Sequence, residues 1–176
     1  MKVDFGGTGR GGEWITVNVD EHGVAHPPPD VVADITNRAH QLGNHFRVGS
    51  IDEAQCIATL EHLPPDDLIG TLSYWRAFMK NGARLLIMVP DVRMIAGMWL
   101  RGILPTNVAM GMIFCPPEWQ AKLPGEQHRW GFDADSLIDT LRTAGWNSPR
   151  VDQSYPQGTF YVDGYAVPNL AVEAWA

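Results

Sequence analysis

The stretch Lys2-Val3-Asp4-Phe5-Gly6-Gly7-Thr8-Gly9-Arg10-Gly11-Gly12-Glu13-Trp14-Ile15-Thr16-Val17-Asn18-Val19-Asp20 decides how the rest of the chain is read. It holds a short apolar strand, a glycine tract, and a second strand that ends on an acid. Five of the seven residues from Gly6 to Gly12 are glycine. Glycines this dense cost backbone entropy. They let the chain adopt φ > 0 and approach a ligand with no Cβ in the way. The tract therefore reads as a ligand loop, or more plainly as a flexible hairpin-like turn. Asp20 stands where an open α/β sheet offers a carboxylate to ribose hydroxyls, or else is a solvated strand-end acid.

Gly7-x-Gly9-x-x-Gly12 matches the dinucleotide fingerprint in letter only. That fingerprint needs a helix whose N-terminus holds a pyrophosphate. Here strand residues follow at once, and about ten residues between strands are too few for a crossover helix. No Gly-Lys-Ser/Thr is present, which excludes a P-loop. The reading favours an adenosyl ligand with an amino-acid end, S-adenosylmethionine, over NAD.

Outward from that stretch, Pro27-Pro28-Pro29 forbids a helix after the second strand. Val31 to Ile35 reads as a short strand, and Thr36 as the cap of a helix over Asn37 to Phe46 with Ala39 and Leu42 inward. Glu53 to Thr59 is a fourth strand. The clearest helix spans Asp66 to Asn81. Leu68, Ile69, Leu72, Trp75, Phe78 and Met79 recur on one face, Pro64-Pro65 leads in, and Gly82 closes it. Arg84 to Val89 is a near-continuous apolar strand of the parallel, doubly covered kind. A helix over Ala134 to Ala144 is capped by Asp133, buried through Leu137, Ile138 and Leu141, and closed by Gly145. Arg150 to Ser154 and Asn169 to Trp175 are further strands. Alternating strands and helices predict one open, mostly parallel α/β domain over residues 1–176.

The 176 residues carry 13 basic and 20 acidic side chains, a net charge of −7, with no Lys/Arg cluster. A phosphate-backbone footprint is absent, so nucleic acid is not the expected partner. The apolar run Met94 to Phe114 is broken by Arg101, Pro105 and Asn107 and predicts no membrane span. The start lacks a signal-peptide core, and Cys56 and Cys115 read as buried reduced thiols, which together predict a cytoplasmic protein. The six histidines show no ligand spacing with cysteines or acids, so no metal is predicted.

Several pieces, in order, resemble small class I S-adenosylmethionine-dependent methyltransferases of the type-11 group. They are Asp4-Phe5-Gly6-Gly7-Thr8 with Gly11-Gly12-Glu13-Trp14; Ala58-Thr59-Leu60-Glu61-His62-Leu63; Trp75-Arg76-x-Phe78-Met79-Lys80-Asn81-Gly82; Ile87-x-Val89-Pro90-Asp91; and His128-x-Trp130-x-Phe132 before Ala144-Gly145-Trp146. The resemblance covers nearly the whole chain. It implies a three-layer Rossmann-like sheet of seven strands, the last antiparallel, here lacking helices after strands one and two. It also implies S-adenosylmethionine across the strand ends. Gly6, Gly7 and Thr8 would line its methionine end, Asp20 its ribose, Asp34 and Ile35 its adenine, and Ala58 and Thr59 its sulfonium. Asp34 reads equally as a cap for the turn that follows.

The resemblance implies a methyltransferase acting on a small molecule. The compressed glycine motif keeps open a degenerate relative that binds cofactor or a partner without catalysis. Glu61 and His62 close strand four where an acceptor would enter, and His128 lies in a loop on the same side. Either histidine could serve as general base or simply fix its loop. Met94, Met98, Met110 and Met112 with Trp99, Trp119 and Trp130 form a soft apolar segment over 94–119. It reads as core, as a lid that selects the acceptor, or as a homodimer face.

Overall fold

The computed structural model describes residues 1–7, 12–19, 28–117, 120, 125, 127–154 and 160–176. Thr8, Asp20 and Trp119 fall outside them, and with them three of the readings above. The strands are β1 (Lys2–Phe5), β2 (Trp14–Asn18), β3 (Val31–Val32), β4 (Ile51–Ile57), β5 (Met79–Pro90), β6 (Asn147–Val151), β7 (Tyr161–Val162), β8 (Tyr165–Ala166) and β9 (Asn169–Trp175). The helices are α1 (Leu68–Phe78), α2 (Val92–Leu100), α3 (Thr106–Phe114) and α4 (Ala134–Thr143). Seven strands form one sheet in the order β3-β2-β1-β4-β5-β9-β6, and β7 and β8 form a separate hairpin.

The expected architecture is present. β3, β2, β1, β4 and β5 run parallel, and the last strand, β9, is antiparallel between β5 and β6. β1 and β2 pair in parallel with Phe5 opposite Val17, so the glycine tract is not a hairpin turn. Eight residues, 6–13, join the two strands. Four strand residues span about 13 Å, well within the reach of eight extended residues.

One face of the sheet is dry. Val3, Phe5, Ala54, Cys56, Leu85, Ile87 and Val89 pack with Leu72, Trp75, Leu137 and Leu141 of α1 and α4. Trp75 is fully buried and stacks on Phe5 with ring centroids 4.4 Å apart, while its Nε1 donates to the Ile35 carbonyl at 2.7 Å. The opposite face carries charge at its far end. Lys2, Glu53, Arg84, Glu173 and Arg150 form an ion-paired row across β1, β4, β5, β9 and β6, at 3.2, 3.2, 2.9 and 2.7 Å in turn. A helix between β1 and β2 would ordinarily cover part of this face. Eight residues leave no room for one.

Four sequence expectations need correction. The helix over Asn37 to Phe46 is a set of turns with a 3-10 turn at Gln41–Asn44, because His40 takes a left-handed φ of 50° and Asp34 accepts from Thr36 N. Leu42 is buried as expected, but Ala39 is exposed. α1 ends at Phe78 rather than Asn81. Pairing of Met79 with Ile51 draws the chain straight into β5, and Gly82, at φ 77°, turns its N–H onto the Ala176 carbonyl. Ile69 is exposed, so the buried stripe is Leu68, Thr71, Leu72, Trp75 and Phe78. The strand expected at Arg150 to Ser154 is Asn147–Val151. Pro149, a breaker in a central strand, is tolerated on this edge.

α4 follows its reading closely. Asp133 Oδ1 accepts from Ser136 N at 2.9 Å, and Ser136 Oγ accepts from Asp133 N at 3.0 Å, a complete capping box. Among the described residues no helix is long and apolar enough to cross a membrane.

Candidate functional site

A cavity of about 480 Å³ opens at the C-terminal ends of the parallel strands and runs back along the face left uncovered beside β1. This is where open α/β sheets hold ligands, and the volume suits a small-molecule site. Its floor comes from strands: Asp4, Gly6 and Gly7 from β1 and its exit, Trp14, Thr16 and Asn18 from β2, and Gln55 and Ile57 from β4. Strand alternation explains this set. Val3, Phe5 and Val17 point into the dry core, so Asp4 and Thr16 point the other way.

The glycine turn is shaped by contacts on both sides. Gly6 has φ 84°, and a Cβ there would lie 2.2 Å from the Thr59 side chain. A Cβ on Gly7 would meet the Asp4 carboxyl at 2.5 Å. Asn18 Nδ2 donates to the Gly6 carbonyl at 2.9 Å, and the Gly6 N–H donates to Val17 O at 2.7 Å. Gln55 Nε2 donates to Asp4 Oδ2 at 3.0 Å and holds that carboxylate over the sheet.

β4 hands the chain to the site through a sharp reversal. Ala58 takes φ 51°, Thr59 Oγ1 donates back to Ile57 O, and Leu60–His62 forms a single 3-10 turn anchored by fully buried Leu60. Pro64 and Pro65 prevent that turn from continuing backward from α1. The segment 128–132 is strapped across it. The N–H groups of Arg129 and Trp130 donate to Glu61 O at 2.8 and 3.2 Å, and Val92 N donates to Phe132 O at 3.0 Å. This strap brings His128 onto His62, with ring centroids 4.9 Å apart and planes at 71°. Glu61 is 2% exposed, and the ligand atoms of Glu61, His62 and His128 all lie within 4.8 Å of one another. His128 Nδ1 lies 3.0 Å from the Ile113 carbonyl. A carbonyl only accepts, so Nδ1 carries the proton and the lone pair of the neutral ring is on Nε2.

The α2–α3 segment is the part the sequence left open. α2 and α3 pack on their own small core of Ile95, Leu104, Val108, Ala109, Met112 and Val167. Asp91 caps α2 by accepting from Met94 N at 2.9 Å. Gly111, Met112 and Cys115 reach the cavity, as do Phe160 and, from β7 of the β7–β8 hairpin, Tyr161 and Val162. That hairpin turns at Asp163-Gly164, both at positive φ, a strong hairpin signal that was legible in the sequence. Met94, Trp99, Leu100 and Phe114 remain exposed.

Of the residues singled out from sequence, Gly6, Gly7, Ala58, His62 and His128 converge on this cavity. Thr59 supports it from beneath Gly6. Asp34 and Ile35 do not line it: Ile35 is 5% exposed in the core, and Asp34 caps Thr36 N with Oδ1. Asp4, Asn18, Gln55 and Asn169 were missed as lining groups. Only strand parity could have pointed to Asp4 and Asn18. The expectation of no metal rested on linear spacing, which does not reveal the Glu61, His62 and His128 cluster.

The cavity's electrostatics are acidic. Among its described lining residues are two carboxylates, Asp4 and Glu61, and no Lys or Arg. Burial, with the charges of Glu61 and Asp4 adding to it, pushes the neighbouring Cys56 thiol well above its ordinary value. Such a site suits a ligand carrying positive charge and does not suit a pyrophosphate.

No protein-family model and no curated sequence matches the chain. Solved structures do. A SAM-dependent methyltransferase of Thermotoga maritima aligns with TM-score 0.64 at 16% identity over 99% of this chain and 81% of its own. One from Archaeoglobus fulgidus aligns with TM-score 0.60 at 15% identity over 99% and 85%. PigF, solved with S-adenosylhomocysteine, aligns with TM-score 0.57 at 12% identity over 99% and 50%. The chain therefore has the class I methyltransferase fold.

Proposed function

Proceeding from that shared fold, we propose that the protein is an S-adenosylmethionine-dependent methyltransferase acting on a small molecule. The observation that carries the reading is the acidic, glycine-edged cavity at the parallel strand ends, with no basic side chain among its described lining residues. When bound, S-adenosylmethionine supplies an electrophilic methyl group on a sulfonium centre. Gly6, Gly7 and Thr8 admit its amino-acid end, and Asp4, steadied by Gln55, attracts the α-ammonium. Ala58 and Thr59 border the sulfonium, and the charges of Glu61 and Asp4 favour a cation between them. Asp20 accepts from the ribose hydroxyls.

The chain's work in such a displacement is alignment, with proton removal where the acceptor requires it. His62 and His128 stand together at the β4 exit for that purpose, and the Nε2 lone pair of His128 is set by Ile113 O. The α2–α3 lid and Phe160 to Val162 form the apolar wall that selects a small acceptor. Its exposed Trp99, Leu100 and Phe114 make the 94–119 segment the place for a homodimer contact. Buried, reduced Cys56 and Cys115 suit a cytoplasmic setting.

Titration calorimetry with S-adenosylhomocysteine tests the reading. Binding is expected, weakened by Asp4→Asn by about 10-fold or more, the worth of a charge-assisted contact. No binding at millimolar ligand, with Asp20→Ala indistinguishable from wild type, overturns it. The shortened connection between β1 and β2 supports a second reading, a cofactor-binding relative without turnover. Binding without methyl transfer across a broad acceptor panel favours that one.

A further inference from the structure

We propose that Glu61, His62 and His128 form a binding site for one divalent first-row transition metal ion, with open coordination positions facing the cavity. Two imidazoles and one carboxylate are a borderline donor set, suited to zinc, iron(II), cobalt(II) or nickel rather than to magnesium or calcium. The three ligand atoms already lie within 4.8 Å of one another. Metal bonds of about 2.0–2.2 Å hold neighbouring ligands roughly 3–3.5 Å apart, so side-chain rotations that close about 1–2 Å complete the site.

The backbone is ready for this. The two segments that supply the ligands are clamped by the hydrogen bonds of Arg129 N and Trp130 N to Glu61 O. Ordering the site therefore costs side-chain freedom only. The tautomer of His128 is a second, independent observation. Its Nδ1 faces the Ile113 carbonyl at 3.0 Å, which puts the proton on Nδ1 and leaves the Nε2 lone pair available to a metal. A ring nitrogen donating to a backbone carbonyl while the other ligates is the usual outer-shell arrangement of metal-binding histidines. The carboxylate is 2% exposed, so water competes weakly for it, and all three groups line the cavity, which leaves the remaining coordination positions to a bound molecule.

Metal binding itself stands apart from methyl transfer. Resting on the proposed methyltransferase activity, the site also names an acceptor class: molecules with a hydroxyl that can ligate a metal, such as catechols or α-hydroxy acids. In the metal-loaded protein the two imidazoles are ligands rather than bases. The acceptor's O–H proton then passes to water as its oxygen takes an open position.

The test is cobalt(II) titration of chelator-treated protein, followed by visible absorption and calorimetry. One cobalt per chain is expected, displaced by zinc. Glu61→Gln and His128→Ala should each weaken binding at least 10-fold, and His45→Ala, at an exposed position, should leave it unchanged. Circular dichroism verifies the fold of each variant. In wild type, paramagnetic cobalt should broaden the ring-proton signals of His62 and His128 before those of His40 and His45. Less than one-tenth of an equivalent bound, equal affinity in His128→Ala, or broadening confined to His40 and His45 overturns the proposal. S-adenosylhomocysteine titration of the same metal-free sample reads the methyltransferase proposal separately.

Discussion

On one face of the sheet Val3, Phe5, Ala54, Leu85 and Ile87 lie dry beneath α1 and α4. On the other, Lys2, Glu53, Arg84, Glu173 and Arg150 alternate in sign across five strands and then give way to a polar cavity. The same strands supply both faces, residue by alternate residue. The dry face holds the fold by burial, and removing one of its large side chains leaves a hole that neighbours cannot fill. The wet face is held by charge pairs that are part-exposed and screened by salt. It has the freedom to carry a ligand because, among the described residues, no helix follows β1 or β2 to cover it.

The largest break in this contrast is Trp75→Ala. The ring is fully buried, stacked on Phe5 and bonded to Ile35 O. A loss of about 3–5 kcal/mol is expected from the lost burial and the cavity left behind. Urea unfolding measures it, and a loss under about 1 kcal/mol contradicts the assignment of the dry face.

On the wet face, Arg84→Met leaves Glu53, Asp152 and Glu173 facing one another without their shared cation. About 1–2 kcal/mol is expected, because these groups are part-exposed. The cost should shrink in 1 M salt, where the Debye length is about 3 Å. The cost of Trp75→Ala should not, and comparing the two variants across salt separates the faces directly.

Asp133→Ala removes the box that starts α4, one of the two helices over the dry face. About 1 kcal/mol is expected, read as a fall in melting temperature.

The smallest effect is pH dependence of the charge row. The Glu173 carboxyl is held below its ordinary value, first by the Arg150 hydrogen bond and then, against the cost of burial, by Arg84. A lowered folded value means that folding favours the ionised form. Its contribution is complete above about pH 5 and drains away as pH falls through the folded value. The stability gap between wild type and Arg84→Met should therefore narrow below about pH 4, as denaturant midpoints at stepped pH will show.

The sequence alone determined the strands β1, β2, β4 and β5, the mostly parallel α/β sheet, and the helix α4 with its cap at Asp133. These are local matters. Side-chain period, turn chemistry and loop length are written in neighbouring residues. It placed α1 too long and read a helix where His40 turns left-handed, because strand pairing at Met79 and a side-chain bond at Asp34 outweigh local helical tendency. Only the tertiary structure decided that Asp4 and Asn18 share a cavity floor, that 128–132 straps the β4 exit, and that Glu61, His62 and His128 meet. His62 and His128 stand 66 positions apart in the chain. Their meeting depends on two backbone hydrogen bonds to the Glu61 carbonyl, which no spacing rule encodes.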